Sequence, residues 1–560
     1  MTECLISKKS NCKNCYKCIR NCPIKSIGFT GEQASILQGE CVLCGKCVSV
    51  CPQHVKQIRD DLPLAKALLK SEERVIASIA PSFVANYSGV NIAGMRKALK
   101  ELGFFDAEET AVGATIVKNK YEELIDRREQ EIIITTCCHS VNLLIQKRYP
   151  EAIKYLADVV TPMQAHSIDI KRRYPGAKTV FIGPCISKKG EADTCSDAVD
   201  CVLTFDELSR WLDEKGIELK GEKEEISAAK ARLFPVTGGI LKTMSITESR
   251  KEAYTFMTVD GMENCMRAVE DIISGGIKNC FIEMSACAGS CINGPVMQNV
   301  NASPVRGEIA VSKYAKDGDF DVYSYSSAAT KRDFSPLSSK PVNVSEEAIR
   351  EVLKKLGKTN PADELNCGTC GYETCREKAK AVLLGKATLE MCLPYLKEKA
   401  ESFSDTIIEN TPNSVIVLNE QFDVVKVNHA ALSLLNMRSD AVTGSPVVRI
   451  LDPTPFINVF NSKKNAHFSK VYLAEYGKYV EQSIIYDKNY HIIICIMRDI
   501  TKVTADEDRK AEVTRAAVEI TDKVIEKQMR TVQEIASLLG ETTAETKVAL
   551  TKLKETLKDE

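Results

Sequence analysis

The chain has 560 residues, and 75 Lys+Arg against 76 Asp+Glu leave a formal net charge of -1. That balance excludes a general electrostatic affinity for nucleic acid or an acidic membrane surface. The length allows several domains, while the 44% hydrophobic content contains no apolar run long enough to span a bilayer. The opening stretch MTECLISKKSNCKNC has no secretory apolar core, so the expected compartment is the cytoplasm. In a reducing compartment, 23 cysteines grouped in C-x2-C spacings predict metal rather than disulfides.

Residues 1–60 carry Cys12-x2-Cys15-x2-Cys18-x3-Cys22-Pro23 and then Cys41-x2-Cys44-x2-Cys47-x3-Cys51-Pro52. This doubled run resembles the bacterial two-cluster ferredoxin, in which the fourth cysteine of each run ligates the other cluster. The resemblance implies one [4Fe–4S] cluster on Cys12, Cys15, Cys18 and Cys51, and a second on Cys41, Cys44, Cys47 and Cys22. A pair of structural zinc sites is the competing reading. Cys4 lies outside the pattern and is expected as a free thiol.

Residues 75–330 read as α/β. Apolar runs at Val75–Ala80, Glu131–Thr135, Thr179–Ile182 and Cys280–Met284 are expected as buried strands, with helical patterns at Met95–Leu102, Tyr121–Gln130 and Val141–Arg148 between them. Each strand ends at a chemically marked stretch: Pro81-Ser82, Cys137-Cys138, Pro184-Cys185, and Cys287. Sites in open α/β sheets form at the carboxyl ends of strands, so the four ends are expected at one place. Thiolates from several loops suit a soft metal cluster, although a lone cysteine pair also serves as a small buried hydrophobe.

Read together, Thr136-Cys137-Cys138-His139, Gly183-Pro184-Cys185 and Cys287-Ala288-Gly289-Ser290-Cys291 resemble the three signature loops of the [FeFe]-hydrogenase catalytic domain. The resemblance implies that Cys138, Cys185, Cys287 and Cys291 hold the [4Fe–4S] part of an H-cluster. Cys291 would bridge to a diiron subsite carrying CO, cyanide and a bridging dithiolate. It further implies that Cys137 exchanges a proton with that subsite, that Lys188 donates to a cyanide with Glu191 following, and that Pro81 and Ser82 contact the other cyanide. Val236-Thr237-Gly238-Gly239 matches a further stretch of the same domain. Taken singly, Cys137 reads as a buried bystander, Lys188 with Lys189 as a solvated pair, Ser285 as a helix-entry residue and His139 as a loop residue. Cys195, Cys201, Cys265 and Cys280 match nothing and are expected in the core or at the surface.

The departures from the family pattern are specific. T-S-C-C-P-x-W is replaced by Thr135-Thr136-Cys137-Cys138-His139-Ser140-Val141, and two methionines by Gly183 and Ser285. The closing triple glycine is replaced by Gly294-Pro295, and an acidic pair by Asn119 and Lys120. Losing two thioethers predicts a looser, wetter pocket, and losing carboxylates predicts slower proton delivery.

Residues 330–345 are Ser- and Pro-rich and are expected as a linker. A helix at Ser345–Leu356 then leads, within residues 345–400, to Cys367-x2-Cys370-x4-Cys375-x16-Cys392. This resembles a small four-cysteine [4Fe–4S] module, with zinc as the competitor. Residues 401–502 resemble a PAS domain in Asn428-His429-Ala430-Ala431 and the closing Arg498-Asp499-Ile500-Thr501. A helix is expected from Phe403 and a hairpin around Asn419-Glu420, and His429 and His491 are candidate haem ligands or surface residues. Residues 503–560 carry apolar positions from Val513 to Leu539 at three- and four-residue spacing, with a break at Gly540 and a last helix capped at Thr542.

The expected architecture is thus a multidomain α/β and α+β chain with four [4Fe–4S] clusters and a diiron subsite. The leading functional reading is a hydrogen or redox sensor acting on H2 and protons. Its expected partners are ferredoxin or another electron carrier, a signalling kinase or phosphatase, and a second copy in a homodimer. The alternatives are a ferredoxin-linked hydrogenase and a non-catalytic iron–sulfur protein without the diiron subsite.

Overall fold

Short apolar runs rich in Ile and Val, each closed by a Pro or Cys turn, form the buried parallel strands of the middle of the chain. The computed structural model describes residues 3–8, 12–31, 33–194, 198–223, 229–297, 303–337 and 344–556. These divide into two units, residues 1–396 and 397–560. Cys195 and positions 338–343 of the expected linker lie outside the described residues.

In the first unit, the N-terminal segment has little regular structure. Strand β1 (Leu5–Ser7) pairs antiparallel with β4 (Lys56–Ile58), and β2 (Ile27–Thr30) with β3 (Gln33–Ile36). One-turn helices Lys17–Arg20 and Lys46–Val50 carry Cys18 and Cys47. Cysteines supply much of the core here, because Cys18, Cys22, Cys41 and Cys47 are buried together with Ile19, Ile27 and Val42.

The α/β region holds two parallel sheets. The first has the order β6 (Asp106–Glu109), β5 (Val75–Ile79), β8 (Lys178–Gly183), β9 (Cys201–Thr204). The second has the order β10 (Thr255–Asp260), β11 (Cys280–Ser285), β7 (Ile132–Ile134). The four expected strands therefore exist but are shared between two sheets, two strands in each. Register sets the loops: Ile79 pairs with Ile182, so Pro81-Ser82 emerges beside Pro184-Cys185. In the other sheet Ile134 pairs with Ile282, which brings the Cys137-Cys138 turn out beside the Cys287 loop. Helix Ala111–Arg127 packs closely on helix Pro162–Arg173; a Cβ at Gly113 would lie 2.1 Å from the Pro162 carbonyl oxygen.

The expected linker is built into this region over its first half. Val160 N–H donates to Thr330 O (2.9 Å), Arg332 N–H to Asp158 O (3.0 Å) and Leu337 N–H to Gln146 O (2.9 Å). Serine and proline content marked irregular backbone but could not report that its hydrogen bonds end on the domain. Helices Glu346–Lys355 and Cys375–Leu383 then frame the four-cysteine module, whose small core includes Ile349, Leu353 and Ala379. Helix Leu393–Asn410 starts directly after Cys392, ten residues before the expected start at Phe403, because Pro394 in its first turn needs no intrahelical donor.

The second unit contains a five-stranded antiparallel sheet of order β13 (Val424–Val427), β12 (Ser414–Leu418), β16 (Ile492–Asp499), β15 (Lys478–Asp487), β14 (Ala466–Leu473). The β12–β13 hairpin is the one expected around Asn419-Glu420. Asn428 is fully buried and uses its whole amide. Its oxygen accepts from Val415 N–H (2.8 Å) and Ala431 N–H (2.9 Å), and its nitrogen donates to Asn413 O (2.9 Å) and Ile408 O (2.8 Å). His429 and His491 are exposed, the latter on the Glu420 carboxylate at 2.9 Å, so neither points into the core as a haem ligand would.

Thr501–Thr556 is one helix of 56 residues. The break expected at Gly540 does not occur: a single interior glycine costs only about 1 kcal/mol relative to alanine, and good helix formers flank it. Ile520, Val524, Val532, Ile535 and Leu539 are exposed along it. No helix among the described residues is long and apolar enough to cross a membrane.

Candidate metal centres

The loops following β7, β8 and β11 bring Cys138, Cys185, Cys287 and Cys291 to the border of one cavity, which Ser285 and the N-terminal Cys44 also line. Two backbone N–H groups tie down the third loop. Asp260 accepts from Gly289 N–H (2.6 Å) and from the Thr237 hydroxyl (3.1 Å), and Ile292 N–H donates to Pro235 O (3.1 Å). The Val236–Gly239 stretch thus anchors the loop that carries Cys287 and Cys291. Burial pushes the Cys185 thiol up to about 11 and raises those of Cys287 and Cys291, with neighbouring thiols adding to the effect. Cys185, Cys287 and Cys291 therefore ionise readily only around a cation.

Cys137, Lys188, Glu191, Pro81 and Ser82 do not border that cavity. The Lys188 ammonium turns instead to the Glu191 carboxylate (2.6 Å) and the Cys137 carbonyl (3.1 Å). Burial opposes the charge on Lys188, but Glu191 and the thiols of Cys185 and Cys137 outweigh it and hold its pKa above the ordinary value. Glu191 is fully buried; its partners overcome desolvation and bring it down to about 2. The Ser82 hydroxyl is buried, with no hydrogen-bond partner among the described residues, at the strand end next to Cys185. His139 is buried and burial pushes it down to about 4, so it is a neutral ring.

Gly183 stands against an aromatic side chain. A Cβ there would lie 2.8 Å from the Phe181 ring and 3.1 Å from Ala80 Cβ, so the buried aromatic ring two residues earlier occupies the space. Lys120 bonds Glu123 at 2.8 Å on its own helix.

The N-terminal cysteines separate into two sets. Cys22, Cys41, Cys44 and Cys47 line one cavity. Cys18 lies within electrostatic reach of Cys12 and Cys51, and Cys15 is exposed. Amides turn toward the sulfurs: Ser26 N–H reaches Cys22 Sγ and Leu43 N–H reaches Cys41 Sγ, each at 3.4 Å. Cys44 borders both this cavity and the central one. Cys367, Cys370, Cys375 and Cys392 line a third cavity together with Lys358 and Lys378. Cys4 is a buried thiol 3.6 Å from Asp193, and Cys201, Cys265 and Cys280 are buried.

Among the described residues, no three His, Cys, Asp or Glu stand close enough to share one metal ion. The thiols ring hollows instead, and an all-sulfur donor set around a hollow fits a multi-iron sulfide core. The unpartnered Ser82 hydroxyl adds a spare donor of the kind an anionic iron ligand needs.

The family model described as iron only hydrogenase large subunit, C-terminal domain, matches residues 73–295. Models of a 4Fe-4S dicluster domain, a putative Fe-S cluster and a PAS domain match residues 4–52, 363–394 and 412–502. The chain is an [FeFe]-hydrogenase-like protein with a PAS domain. It is 24% identical over 371 residues to the NADP-reducing hydrogenase subunit HndD of Solidesulfovibrio fructosivorans, covering 52% of this chain and 63% of that one. Iron hydrogenase 1 of Clostridium pasteurianum is 26% identical over 297 residues, 42% of this chain and 52% of its own. The cytosolic Fe-S cluster assembly factor NAR1 of Eremothecium gossypii is 25% identical over 202 residues, 33% and 45% of the two chains. The chain therefore spans roughly half to under two thirds of each relative's length.

Three residues of the hydrogenase-like domain escaped sequence reasoning. The Tyr121 hydroxyl is 3.3 Å from Cys137 Sγ, whose thiol burial pushes up to about 12. Glu283 is buried beneath Cys137 in electrostatic terms, and burial lifts its carboxyl to about 7 although the Leu241 amide donates to it at 3.1 Å. Arg332, from the supposed linker, donates to Glu191 at 2.7 Å. Only Glu283 carried a signal, as a lone acid in an otherwise apolar strand.

Proposed function

We propose that this protein is a sensory [FeFe]-hydrogenase-type protein that binds or slowly oxidises H2 at an H-cluster. Its redox state would reach a signalling partner through iron–sulfur clusters and the PAS domain. The observation that carries this reading is the meeting of Cys138, Cys185, Cys287 and Cys291 on one cavity that Cys44 of the N-terminal run also borders. On this reading the N-terminal, central and C-terminal cysteine sets would hold four [4Fe–4S] clusters, with Cys138, Cys185, Cys287 and Cys291 holding the one that belongs with a diiron subsite. When bound, that cofactor supplies the chemistry that interconverts H2 with protons and electrons.

The chain's own residues do the rest. Cys137, neutral and buried, holds a proton at Sγ with the Tyr121 hydroxyl beside it. Lys188, fixed by Glu191 and Arg332, supplies a positive charge within electrostatic reach of Cys185 and Cys291. With Asn119 and Lys120 in place of an acidic pair, proton delivery is slow, which suits a sensor better than a bulk producer. A ferredoxin-class carrier is the natural electron partner at exposed Cys15, and a kinase or phosphatase reads a homodimer joined through the PAS domain and C-terminal helix.

Infrared spectroscopy of matured protein tests the centre: CO and cyanide stretching bands are expected, and their absence removes every hydrogenase reading. Film electrochemistry separates sensor from enzyme, since fast turnover rules against a dedicated sensor. A monomer by light scattering rules against the dimer. A second reading, a non-catalytic iron–sulfur protein without the diiron subsite, is favoured by the similarity to the NAR1 assembly factor.

A further inference from the structure

Lys358 and Lys378 are 8% and 2% exposed, and both side chains line the cavity bordered by Cys367, Cys370, Cys375 and Cys392. Each ammonium is capped by a backbone carbonyl, Lys358 by Asp363 O (2.7 Å) and Lys378 by Thr388 O. Neither forms an ion pair with a carboxylate among the described residues. A buried ammonium without a counter-ion is costly, and a carbonyl dipole offsets only part of that cost. Single carboxylates act on each at longer range, Asp363 on Lys358 and Glu390 on Lys378, and the negative set that both share is the cysteine sulfurs of the cavity they line. Lys378 lies within electrostatic reach of Cys370 and Cys392 in particular.

The module is also docked on the N-terminal segment. Arg20 donates to Thr369 O (3.1 Å) and Lys25 to Gly371 O (3.0 Å). Gly371, at φ +94°, lets the backbone approach so closely that a Cβ would lie 2.9 Å from Ile19. Tyr372 is buried within electrostatic reach of both Cys370 and Cys22, so one side chain bridges the surroundings of two cysteine sets. Lysines occur near the N-terminal cysteines too, the buried Lys56 near Cys18 and Cys51 and the half-buried Lys147 on the Cys41 carbonyl (2.7 Å). The C-terminal cavity has two buried lysines in its wall, whereas the cavity of Cys22, Cys41, Cys44 and Cys47 has the exposed Lys46.

We propose that Lys358 and Lys378 are the counter-charges that make the four-cysteine module an electron-holding station instead of a structural zinc knot. Two cations beside four thiolates stabilise the more negative, one-electron-reduced state of an iron–sulfur cluster and so raise its midpoint potential. The change is one electron per cluster, with no bond made or broken and no proton moved; dithionite is the electron donor in the test. The proposal rests on the reading of these cysteines as iron–sulfur ligands and deepens the redox relay proposed above, but it does not require the diiron subsite.

The test is an EPR-monitored redox titration of the full chain, anaerobically reconstituted with iron and sulfide. Cys370→Ser identifies the module's signal by removing it. Lys378→Met is expected to lower the reduced-to-oxidised ratio of that signal about tenfold at fixed potential, about 59 mV for a one-electron couple. Lys358→Met should act in the same direction, Lys378→Arg should restore the wild-type value, and Lys380→Met on the exposed face of the same helix should leave it unchanged. Signals of the N-terminal clusters in each variant report that the chain is folded. A signal that does not move in Lys378→Met, or Cys370→Ser removing no signal at all, overturns the proposal. Infrared spectroscopy of separately matured protein decides the diiron reading on its own.

Discussion

The two units are held together by different physics. In residues 1–396, thiols stand where a core would have hydrocarbon: Cys18, Cys22, Cys41 and Cys47 are buried among the apolar residues of the N-terminal segment. In the PAS sheet the core is hydrocarbon, with Ile416, Leu418, Phe456, Ile484 and Ile493 fully buried. Its one buried asparagine at the start of the α-helical motif is satisfied on both sides of its amide. The N-terminal segment is built to close around inorganic cores, whereas the PAS sheet closes on its own side chains.

Breaking that contrast has its largest expected effect at Cys44, which borders both the N-terminal and the central cavity. Cys44→Ser should lose about four iron atoms per chain and destabilise the first unit by several kcal/mol, because cluster binding is part of its folding free energy. Colorimetric iron counting and differential scanning calorimetry check this together. The PAS transition should stay where it is; a shift of both transitions would mean that the units do not differ as described.

Asn428→Ala is the converse, striking the unit whose core is hydrocarbon. It leaves two buried amides and two carbonyls without partners, and the expected loss is about 4 kcal/mol. Urea unfolding followed by far-ultraviolet circular dichroism should show that loss in the PAS unit alone, with iron content unchanged.

What the sequence made legible follows the same divide. Cysteine spacing marked the N-terminal and C-terminal runs, of which Cys22, Cys41, Cys44 and Cys47, and Cys367, Cys370, Cys375 and Cys392, each line one cavity; the central four, far apart in the chain, came from the family resemblance, and the strand-end pattern said where they would meet. The sharing of those strands between two sheets was illegible, since apolar runs state burial but not pairing. Phe181 was hidden for a related reason: a ring two residues before Gly183 fills the gap only because the strand puts both on one face. Arg332 lay in a stretch whose composition argued for a linker, and only its backbone pairing to the domain turns its guanidinium toward Glu191. Gly540 misled in the other direction, because a breaker acts only where the neighbouring residues leave the helix marginal.

Protonation sharpens the comparison within the first unit. Glu283 has a carboxyl lifted to about 7 by burial. Its folded form binds a proton more tightly than the unfolded chain, so its contribution is full below about pH 4.5 and is lost as pH rises toward 7, about 3 kcal/mol in all. Glu191, held down to about 2 by Lys188 and its neighbours, works in the opposite sense. Its contribution is present above about pH 4.5 and is lost as pH falls toward 2. Glu283→Gln should therefore flatten the decline between pH 4.5 and 7 and leave the acid limb intact. Urea titrations of the full chain across that range check it, and an unchanged slope would place the carboxyl in the ordinary range.

The smallest expected effect belongs to the C-terminal helix, which has neither thiols nor a covered core in this chain. Its apolar positions are exposed from Ile520 to Leu539, so its persistence through Gly540 rests on local propensity. Gly540→Ala removes the conformational cost of glycine and should stabilise that helix by about 1 kcal/mol. Circular dichroism at 222 nm should show a later onset of helix loss on heating, with iron content and the main unfolding transitions unmoved. If a second copy covers the apolar stripe, the gain in helicity should shrink as protein concentration rises, because association already holds the helix through that position. Equal gains at low and high concentration would mean that the stripe is uncovered in solution.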